Sequence, residues 1–391
     1  MTDAEKLVRR LIARGFNLNE SAISHHQNSP NQSLESYVQQ ELKALNANLV
    51  NKHKVYLDTK YWILLRDVKL GRDTSSNSIA FSELLHRLVA SGSFICPVSS
   101  SNLFELLRQQ DLESRIATVQ LMDKLSCGIC LRSHFDRALD DFVRTILVVA
   151  GRETSDPRLD FDYISHILGF IPLTFDSSEL VVASPLAYAK ASYDMGRFTT
   201  LEDVQPGLDA DNPNTLARLP NNAAWADEMN QYKATLRGRK FRETQVAEFN
   251  GGLDTSFPRL KAAMEKFYQI DFGRYPTAAE SDLVTGRLET ALQLFKHMFG
   301  AGKIRTTLLP QIHIQATIFA KVLIESTRQI SRTDFDDVWH ATDALPSCGI
   351  FFTENYLCHL LTHPPGNLAN EFNATVASRL DEALEVLKKI T

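Results

Sequence analysis

The sequence predicts an α/β fold with a parallel sheet, interrupted by a large helical insertion. Two observations predict it. The short β-prone runs Lys54–Asp58, Ser93–Val98 and Ile350–Phe352 are separated by stretches with helical apolar spacing. Such alternation belongs to sheets whose parallel strands are joined through crossover helices. Between about residues 151 and 302 it stops, leaving only helical patterns and loops.

Taken in order, residues 1–50 read as an extension. Lys6 to Ile12 has the pattern of a short helix, Ser21 to Ser33 is a polar loop, and Ser33 to Leu49 is helical again. The first strand, Lys54–Asp58, ends on a carboxylate, and Thr59 to Val68 opens a helix. Ser78 to Ala90 places Ile79, Leu84, Leu85, Leu88 and Val89 at helical spacing. After the second strand, the polar cluster Ser99–Asn102 offers an N-cap for a helix over Leu103 to Gln110 that carries Glu105. Asp111 to Leu125 and Phe135 to Val149 are two further helices.

In the middle, Gln205 to Asn222 is rich in Pro, Asn and Asp and reads as a loop. Trp225 to Glu248, Leu260 to Ile270 and Thr277 to Phe299 are helical, and no strand is expected there. Pro310 to Ile330 is another helix. Thr333 to Leu345 follows, with Thr333 and Asp336 at capping-box spacing. Ala374–Ala377 is a last short strand. Ser378 to Ile390 is an amphipathic helix with Leu380, Leu384 and Leu387 on one side. The organisation is an extension over 1–50, an α/β domain over 51–150 and 310–391, and the insertion over 151–309.

The totals narrow the class. A chain of 391 residues, 44% hydrophobic, buries a large core. With 42 Lys and Arg against 47 Asp and Glu it has no generic attraction for nucleic acid, so any such binding needs a local patch. The densest basic stretch is Lys233, Arg237, Arg239, Lys240 and Arg242, which could track a phosphate backbone or form a solvated helix end. No apolar run is long enough to span a bilayer, the N-terminus starts polar and acidic, and the five cysteines are an odd number; a cytoplasmic protein is expected. Cys127 and Cys130 form one CxxC pair, without the further paired ligands that a structural zinc site needs.

The chemistry sits in four acids. Asp58 ends the first strand, Glu105 lies early in the helix after the second, Asp337 lies in the late helix, and Glu354 follows the late strand. Functional groups in open parallel sheets gather at the carboxyl ends of strands. Carboxylates crowded there repel one another unless a divalent cation such as Mg²⁺ or Mn²⁺ joins them, and that ion can activate water for attack on phosphorus. Asp58 could instead simply cap its helix, and Glu105 could answer the helix dipole. Asp334, Asp336 and Asp337 compete for one role. Asp336, His340 and Asp343 share a helix face at i, i+4, i+7; Asp343 is a ligand or a surface acid, and His340 orients a carboxylate or fills the core. Phosphate-loop, GxGxxG, HExxH and GxSxG signatures are absent.

Val55-Tyr56-Leu57-Asp58, the Glu105 helix, Asp337-Val338-Trp339-His340-Ala341 and Phe351-Phe352-Thr353-Glu354 together resemble the PIN-domain nucleases. The resemblance covers residues 54–150 and 310–391. It implies an α/β/α sandwich and Mg²⁺- or Mn²⁺-dependent endonucleolytic cleavage of RNA, leaving a 5′-phosphate and a 3′-hydroxyl. Carried over by position, Asp58, Glu105, Asp337 and Glu354 become the acidic quartet. Where the family has an acid after a spacer this chain reads Thr353-Glu354-Asn355, so the fourth ligand is Glu354 in direct alignment and Asn355 if the spacer is kept. A toxin-like or defence role is implied only in this way. A nuclease free in its host does harm, so a regulatory protein partner is also expected. The competing readings are a DNA nuclease on the same fold and a non-catalytic interaction protein.

Overall fold

The computed structural model describes residues 25–27, 31–149, 151, 158–169, 185–204, 222–236, 238–272, 274–304 and 307–390. The expected helix at Lys6–Ile12, nearly all of the Gln205–Asn222 loop, and Arg237 lie outside them. The fold is mixed α/β and mostly helical, around a small four-stranded parallel sheet. Its elements are α1 (Leu34–Leu49), β1 (His53–Leu57), α2 (Thr59–Lys69), α3 (Ser76–Ala90), β2 (Phe94–Ile95), α4 (Ser100–Leu107), α5 (Leu112–Ser126), β3 (Ile129–Leu131), α6 (His134–Val149) and β4 (Phe161–Tyr163). The middle of the chain adds α7 (Pro185–Met195), α8 (Leu201–Val204), α9 (Asn222–Thr235), α10 (Phe241–Phe272) and α11 (Ala278–Gly300). The chain closes with α12 (Pro310–Ile324), α13 (Arg332–Ala344), β5 (Ile350–Phe352), α14 (Asn355–Thr362), α15 (Leu368–Glu371), β6 (Thr375–Ala377) and α16 (Leu380–Ile390).

Four strands pair in parallel in the order β2-β1-β5-β6. The two ends of the chain therefore meet at the centre of the sheet, where Val55, Tyr56 and Leu57 lie opposite Ile350, Phe351 and Phe352. Alternate side chains leave opposite faces. Val55, Leu57, Phe94, Ile350 and Phe352 pack under α2, α3, α4, α5 and α16. Tyr56, Ile95 and Phe351 pack under α12, α13 and α14. Helices thus cover both faces, as a buried parallel sheet requires. Each fully buried strand side chain contributes about 2 kcal/mol, which fixes the register.

Local sequence sets several helix starts. Asp58 accepts from the Lys60 amide at 2.9 Å, Ser99 and Asn102 form a capping box, and so do Thr277 and Glu280. At α13 the box is Ser331 with Asp334, not the expected Thr333 with Asp336. The helix begins at Arg332, and Asp336 is free of capping duty.

The middle segment departs from expectation in two ways. It contributes a strand: β4 pairs antiparallel with β3 in a small second sheet, and neither of these three-residue strands is legible in the sequence. Where one helix is expected over Trp225 to Glu248, the segment ends α9 at Thr235 and starts α10 at Phe241, which runs unbroken through Pro258 for 32 residues. It is also packed into the body. Phe249, Leu253, Phe295 and Phe299 of α10 and α11 share a core with Phe142 of α6 and Ala316 of α12, and Ala226 of α9 joins the core beneath α13. Cys130 is buried in β3 while Cys127 is exposed. Among the described residues, no helix is long and apolar enough to cross a membrane.

Candidate active site

The carboxyl edge of the sheet gathers the acids. Asp58 is the residue after β1, its amide bonded to Phe352 O at 3.0 Å, so the Asp58 and Thr353 positions lie side by side at the ends of β1 and β5. Asp58 is 5% exposed. Glu105 comes from the last turns of α4 and Asp337 from the second turn of α13. Glu354 is the exposed N-cap residue of α14, and Asn355, also exposed, opens that helix.

His340 stands at the centre of this group. It is 2% exposed; its Nδ1 lies 2.7 Å from the Tyr56 hydroxyl and its Nε2 3.1 Å from Glu105 Oε2. Tyr56 in turn lies 2.7 Å from Ser99 Oγ. Burial alone would push the imidazole down, but the charge and hydrogen bond of Glu105, with the charges of Asp58 and Asp337, raise it to about 9. At neutral pH it is an imidazolium that donates from Nε2 to Glu105 and from Nδ1 to Tyr56, leaving the Tyr56 hydroxyl to donate to Ser99. This buried cation partly compensates three acids.

Those acids interact. Burial raises Asp58, and Glu105 adds to the rise, against the pull of His340 and Thr353. Burial would also raise Glu105, but His340 and Arg108 outweigh it and hold Glu105 below the usual range. The Thr59 hydroxyl donates to the same Glu105 oxygen as His340. Asp337 is driven well above its ordinary value by burial first, then by Glu354, with Asp334 and Asp58 adding to the rise. No Lys or Arg is among the groups that offset it. Thr353 Oγ1 is buried and makes no hydrogen bond of good geometry, although it lies near enough to Asp58 to favour its charged form.

The shared face of α13 runs along α4. Asp336 pairs with Arg108 at 2.8 Å, His340 with Glu105, and Asp343 accepts from Ser101 at 2.8 Å. Positions i, i+4 and i+7 of one helix thus meet i, i−3 and i−7 of another, the pattern of antiparallel neighbours. Asp343 is also paired with Arg137, itself 1% exposed. Asp343 and Asp336 are consequently neutralised by arginines, unlike Asp337. Asp334 is taken by its cap and by Arg328 at 2.5 Å. The residues that sequence reasoning passed over are Tyr56, Thr59, Arg108 and Thr353. Only Thr59 and Thr353 carried a local signal, as hydroxyls adjoining two of the acids.

The four acids suit a hard divalent cation in kind, since all donors are carboxylate oxygens. They are not drawn to coordinating distance: among the described residues, no three His, Cys, Asp or Glu side chains are close enough together to hold a metal ion.

The basic stretch divides. Lys233 Nζ bonds the carbonyls of Val322 at 2.8 Å and Arg328 at 2.6 Å, so it fastens α9 to the end of α12. Arg242 bonds Gln245 and the Phe299 carbonyl and lies over the Phe299 ring. Arg239 and Lys240 are exposed. No family model matches the chain, and no curated protein or solved structure matches it either.

Proposed function

We propose that the protein is a Mg²⁺- or Mn²⁺-dependent endoribonuclease whose site is built from Asp58, Glu105, Asp337 and Glu354. One observation supports the reading: carboxylates from four separate elements interact at the carboxyl edge of the sheet, and Asp337 is offset by the His340 cation that it shares with Asp58 and Glu105, not by an arginine of its own as Asp336 and Asp343 are. Protein stability alone gives no reason to bury acids against one another, so the arrangement fits a site that awaits positive charge. A divalent ion would neutralise the cluster, activate water and stabilise charge on the phosphoryl oxygens.

The chain's own residues have definable tasks. His340, held by Tyr56, fixes the Glu105 carboxylate, and Thr59 donates to the same Oε2 atom. Asp58 is fixed by the Lys60 amide. Glu354 and Asn355, exposed at the rim, are the groups free to move toward a ligand. Arg239 and Lys240 are candidates for contact with the substrate backbone.

Isothermal titration with Mn²⁺, joined to cleavage assays on single-stranded RNA and DNA, tests the proposal. Asp58→Asn and Asp337→Asn should each abolish Mn²⁺-stimulated RNA cleavage while leaving the melting temperature equal or higher, because a crowded charge has gone. Cleavage of DNA with RNA spared would select the DNA nuclease. A second reading, a non-catalytic interaction protein, is favoured by the two protein donors already on Glu105 Oε2. Absence of Mn²⁺ binding would select it.

A further inference from the structure

A pocket of about 340 Å³ lies between α10 and α12, and its wall also takes in Tyr232 of α9. Glu248, Gly251 and Thr255 reach it from one face of α10, at i, i+3 and i+7. Ile312, Gln315 and Phe319 reach it from one face of α12 at the same spacing. Two successive glycines inside α10 shape the space, although glycine is a poor helix residue. A Cβ at Gly252 would stand 3.1 Å from Ile312 Cγ2, so glycine there lets the helices approach closely. A Cβ at Gly251 would meet nothing within 4 Å, so glycine there leaves room unfilled.

Glu248 gives the pocket its chemistry. It is the one charged side chain in the wall, and it is half-buried. Among the described residues it has no hydrogen-bond or ion-pair partner, yet its oxygens are not sealed off. Burial alone lifts its pKa from 4.5 to about 7, and no neighbouring charge contributes. Tyr232 is the other titratable group of the wall. Its hydroxyl and the Gln315 amide also lack a partner among the described residues. Three side chains thus offer acceptor oxygens with nothing bonded to them. An anion is repelled by such a wall, and a hard divalent ion wants several carboxylates where this pocket has one. A protonated amine or guanidinium supplies the missing charge and several N–H donors. The Phe319 ring and the apolar helix surface accept its hydrocarbon part.

We infer that this pocket binds a small organic cation, an ammonium or guanidinium on an apolar stem, with Glu248 as counter-ion, Gln315 and Tyr232 as further acceptors, and the stem along Phe319. The site stands on α10 and α12 and does not rest on the nuclease reading.

Isothermal titration at pH 8 tests it with phenethylamine, agmatine and an N-acetyl-lysine amide, against phenethyl alcohol and phenylpropionate as neutral and anionic controls. At least one cation should bind saturably, and both controls far more weakly. Tightest binding by a free amine identifies a small molecule as the ligand; tightest binding by the lysine amide identifies a side chain carried on a protein. Glu248→Gln keeps the shape, removes the charge and should weaken binding roughly tenfold or more. Gly251→Leu fills the open space, alters no charge and should abolish binding. Because capture needs the carboxylate ionised, affinity should rise roughly tenfold from pH 6 to pH 8. Four results would each overturn the inference: no saturable binding by any cation, phenethyl alcohol bound as tightly as phenethylamine, undiminished binding in both variants when folded, or a loss in Asp337→Asn as large as in Glu248→Gln, which would put the amine at the acidic cluster.

Discussion

Replacing His340 by Asn tests the electrostatics of the acidic site without any assumption about substrate. In the folded protein the imidazole is raised from 6.5 to about 9, so the imidazolium stabilises the fold wherever the unfolded chain would also carry the proton or begin to lose it. The contribution is complete below pH 6.5 and is lost as pH rises through 9. Converted to free energy it is about 3 kcal/mol. That figure is a ceiling for the measured difference, because Asp58, Glu105 and Asp337 take up protons more readily once the cation has gone. Urea denaturation of both proteins in EDTA, at pH 6, 7.5 and 9.5, reads the gap between them. The variant should be clearly less stable at pH 6, and the gap should narrow by up to about 3 kcal/mol by pH 9.5, leaving the lost hydrogen bonds to Tyr56 and Glu105. A gap that stays constant or widens with pH would refute the argument that the imidazolium is the counter-charge of these acids.

Other expectations follow from the partners found. Arg137→Met strands the buried Asp343 carboxylate and should cost about 3–5 kcal/mol in urea denaturation, while adding Asp343→Leu should recover most of it. Lys233→Met breaks two bonds to carbonyls and should lower the melting temperature with little effect on the salt dependence of RNA binding. Arg239→Ala with Lys240→Ala should do the reverse, leaving stability within about 0.5 kcal/mol and flattening the salt dependence of RNA binding; an unchanged slope in a salt titration counts against these two as backbone contacts. Asp336→Asn keeps a hydrogen-bond acceptor for Arg108 and removes an acid that already has a cation, so cleavage should survive it, unlike Asp337→Asn.

Legibility in the sequence follows from distance along the chain. Asp58, Ser99, Asp111 and Thr277 act as caps on helices that begin within a residue of them, and their side chains reach amides two or three residues on, so the sequence contains both partners. The apolar runs of β1 and β5 were readable because each is buried on both faces. β3 and β4 were not, because three residues carry little propensity and their pairing is tertiary. The continuity of α10 through Pro258 is not legible in the sequence, because its packing against α11 and α12 is tertiary.

The acids divide the same way. Composition and strand context alone marked Asp58, Glu105, Asp337 and Glu354 as chemistry-bearing. They could not separate Asp337 from Asp334, Asp336 and Asp343, which look alike on one helix. The partners of Asp336 and Asp343 are Arg108 and Arg137, 228 and 206 residues earlier in the chain. His340 offered two readings, core residue or holder of a carboxylate, and in the fold it is both. What the sequence determined is where carboxylates stand relative to the ends of strands and helices, because backbone geometry over a few residues fixes that. Which of them have a cation beside them was decided only when β1 paired with β5 and α13 lay against α4, because charge compensation depends on distance in space.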